Sequence, residues 1–204
     1  TDGAAGVDMR GVWHASGVTV TDFGSNPNVS YVGIRFRTKP PVTDPYNRAA
    51  ARSTLEGFYV RAGNYLGAGT IDGVASGSDD VHISNGTVQG CTSGVLFNGN
   101  VNGNAVRNVV TSVTAIDSRT YGFNVSAGSQ NITLIGCMTV NSAVAGFRNA
   151  GDNTTLIGCR APGEVTQKSV SSAAGATEIL AGCIFGPELG ITTYSIAPGR
   201  VNID

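Results

Sequence analysis

Residues 131–137 read NITLIGC, and residues 153–159 read NTTLIGC, 22 residues further along the chain. A weaker copy, TEILAGC, follows at residues 177–183. Within the first copy, Ile132 and Leu134 alternate with polar residues, which is the period-two pattern of a strand with one buried face. Because a segment that recurs every 20 to 50 residues is typical of stacked structural units, the stretch predicts a solenoid.

A second repeat runs in a different phase. Gly94, Gly122 and Gly146 each begin a short run of apolar and aromatic residues, with offsets of 28 and 24. Fainter copies lie at residues 28–36, 53–60 and 80–88, which makes roughly eight units. Gly and Asn interrupt every apolar run before a helix could form, and seven Leu are too few for a leucine-rich repeat. The pattern therefore predicts an all-β fold, a β-helix of about eight coils.

Stacking of the units predicts columns of equivalent side chains, about 4.8 Å apart along the axis. In the TLIGC copies we expect Thr to face outward, Leu to face inward, and Gly to mark a bend. Reduced, buried thiols should form an inner column, and two phenylalanines should stack in the core: Cys137, Cys159 and Cys183, then Phe123 and Phe147.

Composition excludes several classes of protein. The net charge is -1, which disfavours nucleic-acid binding through bulk charge. No run of 18 apolar residues predicts a membrane span, so no membrane insertion is expected. The four cysteines contain no Cys-x-x-Cys spacing, and we expect no metal site and no cofactor.

The units resemble coils of the right-handed parallel β-helix found in the pectate-lyase-like superfamily and in phage tailspikes. Residues 76–90, SGSDDVHISNGTVQG, and the Gly-Cys copies carry the resemblance, most clearly over residues 78–183. It implies a non-enzymatic virion structural or host-contacting protein: tailspike-like, a fibre or capsid-decorating. It further implies a homotrimer on a virion surface or outside the cell, with other virion proteins and a cell-surface polysaccharide as partners.

Two alternatives belong to other classes. One is a polysaccharide lyase or glycoside hydrolase acting on an acidic polysaccharide, and the other is a carbohydrate-binding module without catalysis. For a hydrolase, the candidate pair is Asp79 and Asp80, because glycoside hydrolysis uses two carboxyl groups. The resembling polygalacturonases place His-Gly and Arg-x-Lys after their aspartates, and this order is missing here. We therefore interpret the pair as a turn and predict no catalytic residue.

The parts that leave the repeat direct the search for a binding site. Residues 1–17 predict an N-terminal cap, residues 18–191 the coils, and residues 192–204 a second cap or a subunit contact, all within one domain. Residues 38–51 contain three prolines and predict a loop. The candidate binding residues for an acidic sugar are Arg35, Arg37, Lys39, Tyr46 and Arg48. A solvated charged face and a loop that seals the coil are the competing interpretations.

Overall fold

The computed structural model describes residues 4–24, 29–37, 51–63, 69–98, 105–162, 168–172, 178–185 and 201–203. Every regular element in these segments is a β-strand, and the strands form three sheets. None of the described segments contains a helix that could cross a membrane.

Sheets A, B and C run along the whole stack. Sheet A contains β1 Ala4–Met9, β4 Tyr31–Phe36, β7 Ile71–Ser76, β10 Ser93–Phe97, β13 Tyr121–Val125, β16 Ala145–Asn149 and β19 Lys168–Ser172. Sheet B contains β2 His14–Ser16, β5 Thr54–Glu56, β8 His82–Ser84, β11 Val109–Thr111, β14 Thr133–Ile135, β17 Thr154–Ile157, β20 Glu178–Ala181 and β22 Val201–Ile203. Sheet C contains β3 Thr19–Phe23, β6 Tyr59–Ala62, β9 Thr87–Gln89, β12 Thr114–Ile116, β15 Met138–Val140, β18 Arg160–Ala161 and β21 Ile184–Phe185.

Each coil supplies one strand to sheet A, then one to sheet B, then one to sheet C. Neighbouring strands pair in parallel, as β10 and β13 do in sheet A and β14 and β17 do in sheet B. Return to the same sheet requires a crossover through the other two, and such parallel crossovers are almost always right-handed. Seven complete coils and one further strand of sheet B, β22, confirm the predicted parallel β-helix.

The TLIGC copies lie side by side in sheet B. Leu134 is in register with Leu156, which is in register with Leu180, and both Leu134 and Leu156 are almost fully buried. Thr133 faces Thr155 in the next coil, on the partly exposed side of the sheet. The predicted orientation, Thr outward and Leu inward, is confirmed. Each buried leucine removes apolar surface from water, which stabilises the fold by about 25 cal/mol for each Å² of that surface.

The corner between sheets B and C always uses two residues between strands. The first of them has a left-handed backbone: φ is 59° at Gly136 and Gly158, and 54° at Asn85 and Ser112. Glycine and asparagine tolerate this conformation best, so the corner selects them. The connections at the other two corners vary in length from coil to coil.

The second residue of this corner points inward. Cys137 and Cys159 are fully buried, Cys183 is partly buried, and all four cysteines of the chain are free thiols. The rings of Phe123 and Phe147 stack with centroids 5.2 Å apart and planes 9° apart. The two predicted inner columns are therefore present.

A column of glycines in sheet A accounts for the second repeat. A Cβ atom on Gly94 would lie 2.5 Å from the carbonyl oxygen of Gly122, and one on Gly122 would lie 2.7 Å from that of Gly146. Side chains of sheet C also come close: the Cβ atom of Ala115 would lie 2.7 Å from a Cβ atom on Gly94. Sheets A and C approach so closely here that only glycine fits.

The stack begins earlier in the chain than predicted. Residues 1–17 were expected to cap the coils from outside the repeat, but β1 pairs with β4 and β2 with β5, so the first coil begins at Ala4 and not at residue 18. The faint copy was missed because this coil lacks the Gly-Cys pair, although Gly6 occupies the glycine column. At the other end, β22 extends sheet B, while residues 186–200 lie outside the described part of the chain.

Candidate functional site

The outward-facing side of sheet A carries two columns of side chains, which we call the outer face. Ile34 and Phe36 of β4 are buried, so Arg35 between them faces outward. Its column continues over the other coils as Asp8, Ala75, Leu96, Asn124 and Arg148. The second column contains Tyr121, which is partly exposed, and four residues that are buried: Val32, Asp72, Ser93 and Ala145.

Tyr121, Asn124 and Arg148 form one cluster on this face. The guanidinium carbon of Arg148 lies 5.3 Å from the centroid of the ring of Tyr121, which belongs to the preceding coil. Its Nη1 donates a hydrogen bond of 2.8 Å to Asn124 Oδ1. These contacts hold a planar cation over an aromatic ring, and all three side chains are partly exposed. A guanidinium held flat presents its remaining donors to a ligand as a rigid fork.

Asp72 lies two coils away from Tyr121 in the same column and is 8% exposed. Burial raises the pKa of its carboxyl to about 6, although hydrogen bonds from Ser93 and the charge of Arg35 lower it. A carboxyl group with a pKa near neutrality can both hold and release a proton, which is the property required of a general acid or base.

Arg37 follows β4 and interacts with the first coil. Its Nε donates to both carboxylate oxygens of Asp8, at 2.7 and 3.0 Å, and Arg10 lies 3.3 Å from the same carboxylate. Arg37 therefore lies beside Asp8, which is next to Arg35 in the first column of the outer face. The other three candidate binding residues, Lys39, Tyr46 and Arg48, lie outside the described residues.

Asp79 and Asp80 lie at the corner between sheets A and B, away from this cluster. Asp80 has a left-handed backbone, φ 56°, and accepts two hydrogen bonds from Arg107, from Nε at 2.7 Å and from Nη2 at 2.9 Å. These hydrogen bonds hold the pKa of Asp80 below its usual range. Asp79 lies 3.9 Å from the same guanidinium. A carboxylate kept ionised in this way is a poor general acid.

The described carboxyl groups of the outer face do not form a hydrolase pair. The register separates Asp8 and Asp72 by two coils and three residues, which places their Cα atoms roughly 14 Å apart. Glycoside hydrolases need their two carboxyl groups about 5 to 9.5 Å apart. Within the described segments, no group of three His, Cys, Asp or Glu side chains could hold a metal ion.

Sequence reasoning missed Asp72, Tyr121 and Arg148. Tyr121 directly precedes Gly122, and Arg148 follows Gly146 by two residues, so alignment on the glycine column alone would have placed both on one face. Asp72 offered a weaker signal, a single acid inside the strand IDGVAS.

No family model and no curated protein matches the sequence. Among solved structures, the chain is similar to the catalytic domain of a GH87 alpha-1,3-glucanase variant in complex with tetrasaccharides, with a TM-score of 0.50 and 13% identity over 87% of this chain. Two structures of GH87 alpha-1,3-glucanase catalytic domains in complex with nigerose give a TM-score of 0.47 and 12% identity over 86% of this chain.

The chain spans 33% of the length of the first of these structures and 41% of the other two. At this identity the likeness defines the class by fold: the chain is a parallel β-helix, with a fold also found in a glucanase catalytic domain.

Proposed function

We propose that this chain is a carbohydrate-active β-helix that binds an acidic polysaccharide along the outer face of sheet A. The observation that carries the proposal is the cluster of Tyr121, Asn124 and Arg148, which shares its face with Arg35 and Asp72. Aromatic rings with nearby directional donors suit sugars, whose rings have apolar faces and hydroxyl edges. Each successive coil contributes side chains to this face, and such a row along the stack suits an extended polymer.

The charge of the face favours an acidic chain. Arg35 and Arg148 point outward on it, while burial raises the pKa of Asp72 to about 6 and so reduces its negative charge in mildly acidic solution. Guanidinium groups bind carboxylates through paired hydrogen bonds. A polysaccharide that contains uronate residues offers carboxylates to these guanidinium groups, whereas a neutral glucan offers none.

Of the two reactions possible on such a polymer, elimination fits this face better than hydrolysis. Hydrolysis requires a second carboxyl group at short range, and Asp8 lies roughly 14 Å from Asp72. Elimination requires one base to remove the proton beside the uronate carboxylate, while cations stabilise the charge that develops there. Asp72 would serve as the base and Arg35 as the cation. The electron pair of the broken C–H bond forms a C=C bond, the neighbouring sugar–oxygen bond breaks, and the departing oxygen takes a proton from water, which leaves an unsaturated uronate.

Binding is tested by calorimetry with polygalacturonate, and with a neutral α-1,3-glucan oligosaccharide for comparison. We expect Tyr121→Ala and Arg148→Gln each to weaken polygalacturonate binding about tenfold, because each removes half of the cation–π cluster. Tyr59→Ala is the matched control, since Tyr59 is an outward tyrosine of sheet C.

Equal losses in all three variants, or tighter binding of the neutral glucan, would overturn the proposal. Release of unsaturated uronate, followed by ultraviolet absorbance, tests elimination separately. Asp72→Asn should abolish that release and leave polygalacturonate binding within a factor of about three of the wild type.

The tailspike-like role on a virion surface, as a homotrimer with other virion proteins, stays a prediction from the resemblance. It competes with the proposal only if the chain neither binds nor cleaves a glycan. Light scattering checks the trimer directly, because three copies have three times the mass of one 20.8 kDa chain.

A further inference from the structure

Three thiols stand in one column at the corner between sheets B and C. The amide of Arg160 donates to the carbonyl of Cys137 at 2.8 Å, and that of Ile184 donates to the carbonyl of Cys159 at 2.9 Å. These bonds place each cysteine directly over the one in the preceding coil. Adjacent rungs of a parallel sheet lie about 4.8 Å apart, within the 4.4 to 6.8 Å that separates the Cα atoms of a disulfide.

The sulfur atoms repeat in the same way. The thiol of Cys159 lies 3.4 Å from the carbonyl oxygen of Leu134, and that of Cys183 lies 3.4 Å from the carbonyl oxygen of Leu156, which is the equivalent contact one coil later. Each thiol also lies near a carbonyl oxygen of its own coil, Cys159 at 3.7 Å from that of Ile157 and Cys183 at 3.5 Å from that of Ala181. The two sulfur atoms therefore occupy equivalent positions in successive coils.

Exposure distinguishes the members of the column. Cys137 and Cys159 are fully buried, but Cys183, at the end of the column, is partly exposed. We propose that Cys159 and Cys183 are a latent disulfide pair, which a small disulfide oxidant such as oxidised glutathione closes from the exposed end. No other described cysteine is both partly exposed and stacked on a second cysteine, since Cys91 is buried in a different corner.

The reaction proceeds by thiol–disulfide exchange. The thiolate of Cys183 attacks one sulfur of oxidised glutathione, which forms a mixed disulfide and releases one glutathione thiolate. The thiolate of Cys159 then attacks the Cys183 sulfur, which releases the second glutathione. Two protein thiols are oxidised, one glutathione disulfide is reduced to two thiols, and the two protein protons pass to the glutathione thiolates.

The pKa values predict a slow reaction at neutral pH. The hydrogen bond with Cys159 and then burial raise the pKa of Cys183, and the hydrogen bond with Cys137 is the main cause that raises the pKa of Cys159 to about 12. Since the thiolate is the attacking species, closure should accelerate as pH rises. The Cα spacing of adjacent rungs, about 4.8 Å, is near the lower limit for a disulfide. We therefore expect the bond to be readily reduced again.

The test incubates the folded protein with excess oxidised glutathione at mildly alkaline pH. We expect free thiols, counted after unfolding, to fall from four to two, and a Cys159–Cys183 cross-linked peptide in the tryptic digest. Cys183→Ser should remove the cross-link, and Cys91→Ser should retain it. Circular dichroism before and after oxidation verifies that each variant is folded.

Three results would overturn the proposal. One is four free thiols after prolonged exposure to the oxidant. Another is glutathione left on Cys183 without closure, which would show that Cys159 cannot reach the mixed disulfide. The last is a cross-link that includes Cys91, since it would require the coils to open. Glycan binding is independent of this outcome, because the cysteine column lies at the corner between sheets B and C and the proposed glycan site lies on sheet A.

Discussion

Asp72 illustrates how one buried side chain links stability to pH. Burial raises its pKa from 3.8 to about 6, so between these values the native protein holds a proton that the unfolded chain has lost. Its favourable contribution is complete below pH 3.8 and is lost as pH rises through about 6. The difference of about 2 between the pKa in the native protein and that in the unfolded chain corresponds to about 3 kcal/mol of unfolding free energy.

Replacement of this carboxyl should therefore flatten the pH dependence. We expect Asp72→Asn to lose less unfolding free energy than the wild type between pH 4 and pH 7, measured by urea denaturation at both values. Asp152→Asn removes the same charge from an exposed position and serves as the control. If the pH slopes of the wild type and Asp72→Asn coincide, the carboxyl is solvated and the assigned pKa is wrong.

At the scale of the element, glycine serves two different purposes. A Cβ atom on Gly122 would overlap the methyl group of Thr139 and lie 2.7 Å from a backbone oxygen. A Cβ atom on Gly158 would meet nothing within 4 Å, and there the requirement is the left-handed φ of 59°. The first glycine is required for space and the second for conformation.

Substitutions should separate these two requirements. We expect Gly122→Ala to cost about 3 kcal/mol of unfolding free energy through overpacking, and Gly158→Ala about 1 kcal/mol through backbone strain. Gly158→Asn should cost less than Gly158→Ala, because Asn85 has the same conformation at the equivalent corner, with φ 54°. Thermal unfolding checks the order, and equal losses for Gly122→Ala and Gly158→Ala would contradict it.

The coil pattern was predictable because it is local. The five residues of each TLIGC copy indicate which side chain is buried and where the chain turns. Leu134 and Gly136 could therefore be placed without a structure. The candidate site is not local. Asp72, Tyr121 and Arg148 come from three coils, and they share a face only through the register of sheet A. Burial of Asp72, which raises its pKa, depends on packing that the sequence does not state.

At the scale of the whole molecule, the stack should be most stable in the middle. In a solenoid each unit contacts only its neighbours, so stability is distributed along one axis. Strand β14 is paired on both sides, with β11 and β17, whereas β2 is paired on one side only among the described strands. Leu180, near the other end, is 7% exposed, while the equivalent leucines of inner coils are almost fully buried.

Hydrogen exchange measures this gradient directly. We expect the amides of β14 to exchange at least about tenfold more slowly than those of β2, since end coils open without the rest of the stack. Uniform protection along the chain would contradict a sequential array and would indicate that the coils unfold as one cooperative unit.

The two-residue corner between sheets B and C has a consequence for protein engineering. Because that corner contains two residues in all seven coils, it fixes the position of each sheet C strand relative to the sheet B strand before it. Differences in the length of the connections therefore occur at the corners between sheets A and B and between sheets C and A. The connection after β4 already holds 17 residues, while the one after β1 holds four. Foreign peptides grafted at the A–B edge should therefore be displayed at 4.8 Å increments along a rigid rod, without a shift in any rung.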